Sequence, residues 1–239
     1  MSSPATIRQG DARPATKALP LLENGDALDA DEFLRRYERM PDVKKAELIN
    51  GVVYMASPVS ASHSDPHFDL ITWLGVYRLS TPGLRGSAEP TVRFSKKQVF
   101  QPDAMLSTPA PLGGKSSLND KSYTVGSPEL VAEVAKSSVS IDTGRKRRAY
   151  LKHGVTEYVL WRVEDEAIDW WTLRGGEYHA VEPDAADGLV KSVVYPGLWL
   201  DKAAMLRGDM PTVLAGLHLG LASPGRAEFA ARLRAAAAI

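Results

Sequence analysis

The sequence predicts an α/β or α+β domain. Three observations predict it. Short apolar runs of strand length recur between Glu47 and Tyr195. At least two longer stretches carry helical spacing, Phe68 to Leu79 and Asp142 to Lys152. The order runs hairpin, helix, two strands, strand, helix, strand, so the elements do not alternate regularly, as a barrel or a doubly wound dinucleotide domain would require.

The elements follow in chain order. Residues 1–28 are rich in Pro, Gly, Ala and Ser without periodicity and read as a flexible arm. Asp29 or Asp31 can cap a short helix through Met40, with Phe33, Leu34 and Tyr37 as its apolar stripe. Asn50-Gly51, set between Glu47-Leu48-Ile49 and Val52-Val53-Tyr54, predicts a hairpin, because both turn positions favour positive φ. Ser57 to Asp65 is turn-rich, and Phe68 to Leu79 is an amphipathic helix stopped by Thr81-Pro82-Gly83. Pro90 to Phe94 and Val99 to Leu106 read as strands, and Ser107 to Gly126 as a long polar loop.

Leu130 to Ala135 is a buried strand interrupted by one charge, Glu133. Asp142 to Lys152 is a helix, with Asp142 as its cap and Gly154 as its C-terminal glycine. Glu157 to Val163, Ile168 to Leu173, Tyr178 to Val181 and Val190 to Tyr195 complete the strands. The main domain spans 29–201. Residues 202–239 form an Ala-rich, partly helical tail, with a helix over Glu228 to Ala238.

Composition bounds the chemistry. The chain has 239 residues and 44% hydrophobic content, enough for one large domain. Twenty-nine Lys and Arg balance 29 Asp and Glu, so net charge argues neither for nor against a nucleic-acid partner. No cysteine is present, which excludes disulfides, thiolate metal sites and cysteine nucleophiles, and suits a reducing cytoplasm. No apolar run approaches a membrane span, and the start lacks the layout of a signal peptide. Gly113-Gly114-Lys115-Ser116 has the last letters of a phosphate loop without its earlier glycine or preceding strand, and reads as a plain loop.

A carboxylate inside a buried strand needs a partner, because an unpaired buried charge costs several kcal/mol. Strand period two puts Val131, Glu133 and Ala135 on one face and Leu130, Ala132 and Val134 on the other. Asp103, behind Pro102, ends a second apolar run. Two carboxylates on neighbouring strands suit Mg²⁺, a hard cation that takes oxygen ligands and keeps waters.

Pro102-Asp103 followed by Glu133-Val134-Ala135 resembles the motif of the PD-(D/E)XK nuclease superfamily. The wider pattern resembles its Uma-type restriction-endonuclease family, long catalogued as a domain of unknown function. That pattern comprises Glu47-Leu48-Ile49-Asn50-Gly51, Ser57-Pro58, His63 and Leu130 to Ala135. It continues through Ser137-Ser138, then Asp142, Lys146 and Tyr150, then Gly154 to Tyr158 and Pro196-Gly197-Leu198. The resemblance runs from about Asp31 to Asp201.

It implies a restriction-endonuclease-like α/β fold with a mixed central sheet flanked by helices. It also implies Mg²⁺ or Mn²⁺ on Asp103 and Glu133, and hydrolysis of DNA phosphodiester bonds. The superfamily lysine would stand two residues after the acid, where this chain has Ala135. Lys136 leaves on the opposite face, so the lysine role passes to Lys146 on the following helix.

Glu47 is a further carboxylate candidate, and His63 a residue that faces the cleft or caps a helix. Arg145, Arg147 and Arg148 are candidate phosphate contacts. His63 and His67 do not make a zinc-protease motif, since no Glu follows His63 and Pro66 lies between them. Two rivals stand beside the endonuclease: a catalytically inactive nuclease-fold module that binds nucleic acid, favoured by Ala135, and a structural protein or homodimer whose tail mediates association.

Overall fold

The computed structural model describes residues 19–55 and 61–237, with the side chains of 61–63 excepted. The arm expected over 1–28 is only partly within that range. From Leu22 onward it is fastened to the domain. Leu22 is buried, and Gly25 and Leu28 donate backbone hydrogen bonds to Val53 and Gly51.

Helix α1 (Ala30–Tyr37) is capped by Asp29, whose carboxylate accepts from the Glu32 amide, while Asp31 pairs instead with Arg93. The hairpin forms as the sequence predicts. Strands β1 (Ala46–Ile49) and β2 (Val52–Met55) pair with Ile49 opposite Val52, and Asn50 and Gly51 both take positive φ. Helix α2 (Ala61–Ser80) starts earlier than expected and continues through Pro66. It buries Leu70, Trp73, Leu74 and Tyr77.

Strand β3 (Arg85–Ala88), absent from the sequence expectation, is followed by β4 (Val92–Ser95). The run expected as one strand over Val99 to Leu106 is two: β5 (Gln98–Phe100) and β6 (Ala104–Ser107). Pro102 has no N–H to give a ladder, so pairing lapses there and the chain passes from one sheet to another. The polar stretch after Ser107 is not one loop. It holds a 3₁₀ turn at Ala110–Leu112 and the short strands β7 (Ser116–Leu118) and β8 (Thr124–Gly126).

Strand β9 (Leu130–Ala135) is buried throughout. A π-helical stretch (Ile141–Lys146) then runs into α3 (Arg147–His153), which Gly154 closes in the left-handed conformation. Asp142 is therefore inside the helix and not its cap. Strands β10 (Glu157–Arg162), β11 (Ala167–Arg174) and β12 (Glu177–Ala180) follow. After them come a small pair, β13 (Val190–Lys191) and β14 (Trp199–Leu200).

The fold is α/β, and β1 to β12 divide between two mixed six-stranded sheets, β2-β1-β5-β4-β8-β7 and β12-β11-β10-β9-β6-β3, with β13 and β14 paired apart from them. In the second sheet β9 lies parallel to β10 and antiparallel to β6. Beyond Asp201, where a tail was expected, the chain forms α4 (Lys202–Leu206), α5 (Met210–Leu221) and α6 (Pro224–Ala237). Met205, Val213, Leu217 and Leu233 from these helices join the core against α2, so this segment completes the domain.

Strand alternation sorts the core. Leu130, Ala132 and Val134 pack in the cluster shared with α2 and the C-terminal helices. Val131 and Ala135 pack on the opposite face with Tyr150, Tyr158, Ile49 and Phe100. In the first sheet, Ala46 and Leu48 face α1, while Ile49 faces the other way, toward α3. The second of these clusters thus lies where the two sheets and α3 meet.

Candidate active site

At this junction every residue pointing inward on period two reaches the same small volume. Glu47 shares the inner face of β1 with Ile49, and Glu133 shares the inner face of β9 with Val131 and Ala135. Asp103 ends the crossing between sheets, directly before β6. Asp142, Lys146 and Tyr150 arrive from the helix at steps of four. Such a step overshoots one α-helical turn and undershoots one π-helical turn, so drift over the first step is reversed over the second. All three stay turned toward the sheet and are buried.

The Lys146 ammonium stands 2.5 Å from Glu133 Oε1, 3.1 Å from Glu47 Oε1 and 3.5 Å from Asp142 Oδ1. Tyr150 donates its hydroxyl to Glu133 Oε1 at 2.6 Å. The Gln101 amide donates to Glu47 Oε1 at 2.8 Å, and Ser138 Oγ donates to Asp142 Oδ2. Asp103 Oδ2 accepts from the Val134 amide at 2.7 Å, and Asp103 Oδ1 pairs with Lys45 Nζ at 2.8 Å.

These contacts set the charges. Burial pushes the Glu133 carboxyl up to about 8; Lys146 pulls it down, and Asp103 and Asp142 add to the rise. Burial also raises Asp142, against Lys146 and Ser138. Burial acts on Asp103 in the same direction, but Lys45 outweighs it and holds that carboxyl below its usual range. Burial would lower Lys146; its carboxylate partners overcome that and hold it well above the ordinary lysine value. Burial and Glu133 keep the Tyr150 phenol protonated.

The remaining expected residues separate from this centre. Lys136 pairs with Glu164 at 3.6 Å, on the far side of β9. Arg145 is exposed and donates to the Tyr54 hydroxyl. Arg147 lies over the Trp171 ring at 4.7 Å and the Tyr178 ring at 5.9 Å, so its guanidinium faces aromatic surface. Arg148 is exposed. The His63 side chain lies outside the described residues. His67 Nε2 is 3.0 Å from the Asp103 carbonyl, on the rim of the centre.

Sequence reasoning missed Lys45, although the period that aims Glu47 and Ile49 inward aims residue 45 inward as well. Tyr150 belongs to the family pattern, but nothing local in the sequence shows that its hydroxyl meets a carboxylate.

Among the described residues no three Asp, Glu, His or Cys side chains form a ready-made metal group. The donor chemistry nonetheless fits Mg²⁺ or Mn²⁺, because such an ion is bound through one or two carboxylates together with waters and substrate oxygens. The charge balance points the same way. Among the described residues, Glu47, Asp103, Glu133 and Asp142 share two ammonium groups, Lys45 and Lys146.

Comparison with known proteins follows the same lines. No curated protein matches this sequence. A crystal structure described as "a putative nuclease belonging to DUF820 from Anabaena variabilis ATCC 29413" superposes with a TM-score of 0.51 at 14% identity, covering 77% of this chain and 98% of that one. At that identity the likeness establishes the fold. A family model, "Uma2: Putative restriction endonuclease", matches residues 30–203, which hold every residue of the buried charge cluster. The chain therefore belongs to the Uma2 family.

Proposed function

We propose that this protein is a Mg²⁺-dependent endonuclease that hydrolyses DNA phosphodiester bonds. The observation that carries the reading is the pair of buried carboxylates, Asp103 directly before β6 and Glu133 on its antiparallel neighbour β9, flanked by two lysines. Asp103 and Glu133 would hold Mg²⁺ or Mn²⁺, with Glu47 beside them. When bound, such an ion polarises a phosphoryl oxygen and lowers the pKa of a coordinated water.

The chain's own residues do the rest. The Val134 amide and Lys45 fix the Asp103 carboxylate in one orientation. Tyr150 and Lys146 orient Glu133, and the Gln101 amide orients Glu47. Lys146 keeps its proton and favours the charged form of its carboxylate partners in surroundings that exclude water. The family description, which names restriction endonucleases, supports phosphodiester hydrolysis as the reaction class.

The test is cleavage of supercoiled plasmid with Mg²⁺ or Mn²⁺. Wild-type protein is expected to nick or linearise it, and Asp103→Ala and Glu133→Ala to abolish cleavage with unchanged circular dichroism. Wild-type protein that cuts no nucleic acid with either ion would end the endonuclease reading. Ala135, standing where the superfamily has its lysine, favours one alternative: a nuclease-fold module that binds DNA without cutting it. Retained binding in EDTA without cleavage in Mg²⁺ is its signature.

A further inference from the structure

We infer that Lys45 is the cation of this site that contacts substrate phosphate, whereas Lys146 is a positioning residue that acts through Glu47 and Glu133. The inference rests on the endonuclease reading above and divides labour within it.

The first argument is the count of donors. An ammonium group has three N–H bonds. Lys146 faces three carboxylates at 2.5, 3.1 and 3.5 Å, so a phosphate oxygen would have to displace one of them. Lys45 makes a single ion pair among the described residues, to Asp103, which leaves donors available for a second anion.

The second argument is access. The side chains of Asp103, Glu133, Asp142 and Lys146 are each 3–4% exposed, whereas Glu47 is 12% and Lys45 23% exposed. The cluster therefore opens along the β1 flank, and Lys45 stands at that opening. Strand parity puts it there: residues 45, 47 and 49 alternate onto one face, and Lys45 continues that face just before the strand begins.

The third argument is charge. Among the described residues the cluster holds more carboxylates than ammonium groups, so it does not by itself attract a phosphate diester. A cation that remains in contact with solvent is the group that can offset this for an approaching strand.

The test separates contact from positioning without relying on turnover. Binding of a short fluorescent DNA duplex is measured by anisotropy in EDTA across a salt series. Loss of one phosphate contact lowers the slope of log affinity against log salt by about one. Lys45→Met is expected to show that loss and Lys45→Arg to retain the wild-type slope. Lys146→Met is expected to keep the slope and lose cleavage. Because the chain has no cysteine, Lys45→Cys carries its only thiol. Alkylation of that thiol with 2-bromoethylamine rebuilds an ammonium group and is expected to restore both slope and cleavage in the same folded polypeptide.

An unchanged slope in Lys45→Met, or a lowered slope in Lys146→Met, overturns the inference. Plasmid cleavage by wild-type protein, run in parallel, reports on the endonuclease reading alone. A wild type that cuts while Lys45→Met binds and cuts equally well removes only the inference. A wild type that neither binds nor cuts removes both.

Discussion

Glu133 and Glu157 are buried glutamates on neighbouring parallel strands of one sheet, three positions apart in register, and their surroundings differ. Glu157 lies opposite Leu130 in the β9–β10 ladder, and Leu160 lies opposite Glu133. Their side chains leave on opposite faces. Glu157 receives neutral donors only: Ser192 Oγ at 2.7 Å, the Val193 amide at 2.6 Å, the Val194 amide at 3.2 Å and Trp170 Nε1 at 3.3 Å. It pins the 192–195 loop to the sheet. Glu133 instead receives a lysine and a phenol, with other carboxylates close by. Burial raises both carboxyls; at Glu157 fixed dipoles oppose the rise, while at Glu133 the charge of Lys146 opposes it and the neighbouring Asp103 and Asp142 add to it. A buried acid served by backbone amides is a structural tie. One that shares its surroundings with like charges is poised to take a cation.

The comparison can be broken in graded ways. The largest effect is expected at Glu133. Glu133→Gln keeps the shape, removes the charge and should lower plasmid cleavage by on the order of a thousandfold or more, with little change in melting temperature. Glu157→Ala should do the reverse. It strands the Ser192 hydroxyl and the Val193 and Val194 amides, costs about 2–3 kcal/mol by denaturant unfolding, and leaves cleavage per folded molecule intact.

A smaller effect concerns pH. Burial pushes the folded Glu133 carboxyl up to about 8 from an ordinary 4.5, against the pull of Lys146, so the folded state binds the proton more tightly than the unfolded chain. That contribution is complete below about 4.5 and is lost as pH rises toward about 8. In EDTA, stability should fall across this interval, and Glu133→Gln should flatten the fall. A slope unaltered by the substitution would contradict the assignment. The smallest effect belongs to Lys136, across the sheet from the centre. Lys136→Ala should change stability by about 0.5 kcal/mol at most and leave cleavage at the wild-type rate.

Much of the local structure was legible. The Asn50-Gly51 turn, the limits of β9, the left-handed Gly154 and the partition of Val131, Glu133 and Ala135 from their neighbours follow from residues adjacent in the chain. The failures share a cause. A strand predicted across Pro102 is two strands in two sheets, because pairing partners decide where a strand ends. Asp142 looks like a helix cap until the helix starts before it. The C-terminal segment looks like a tail until its apolar side chains find α2.

The sequence by itself determined which residues share a side of a strand, and therefore that Glu133 and Ala135 leave β9 together while Lys136 leaves on the opposite side. Backbone alternation is a property of neighbouring residues and needs no tertiary contact. Tertiary structure alone decided which charges meet. Lys45 reaches Asp103 across 58 residues of chain, and Lys146 reaches Glu47 across 99. Such pairs depend on two sheets and a helix closing on one another. Their closure encloses Lys146 among carboxylates and leaves Lys45 at the opening.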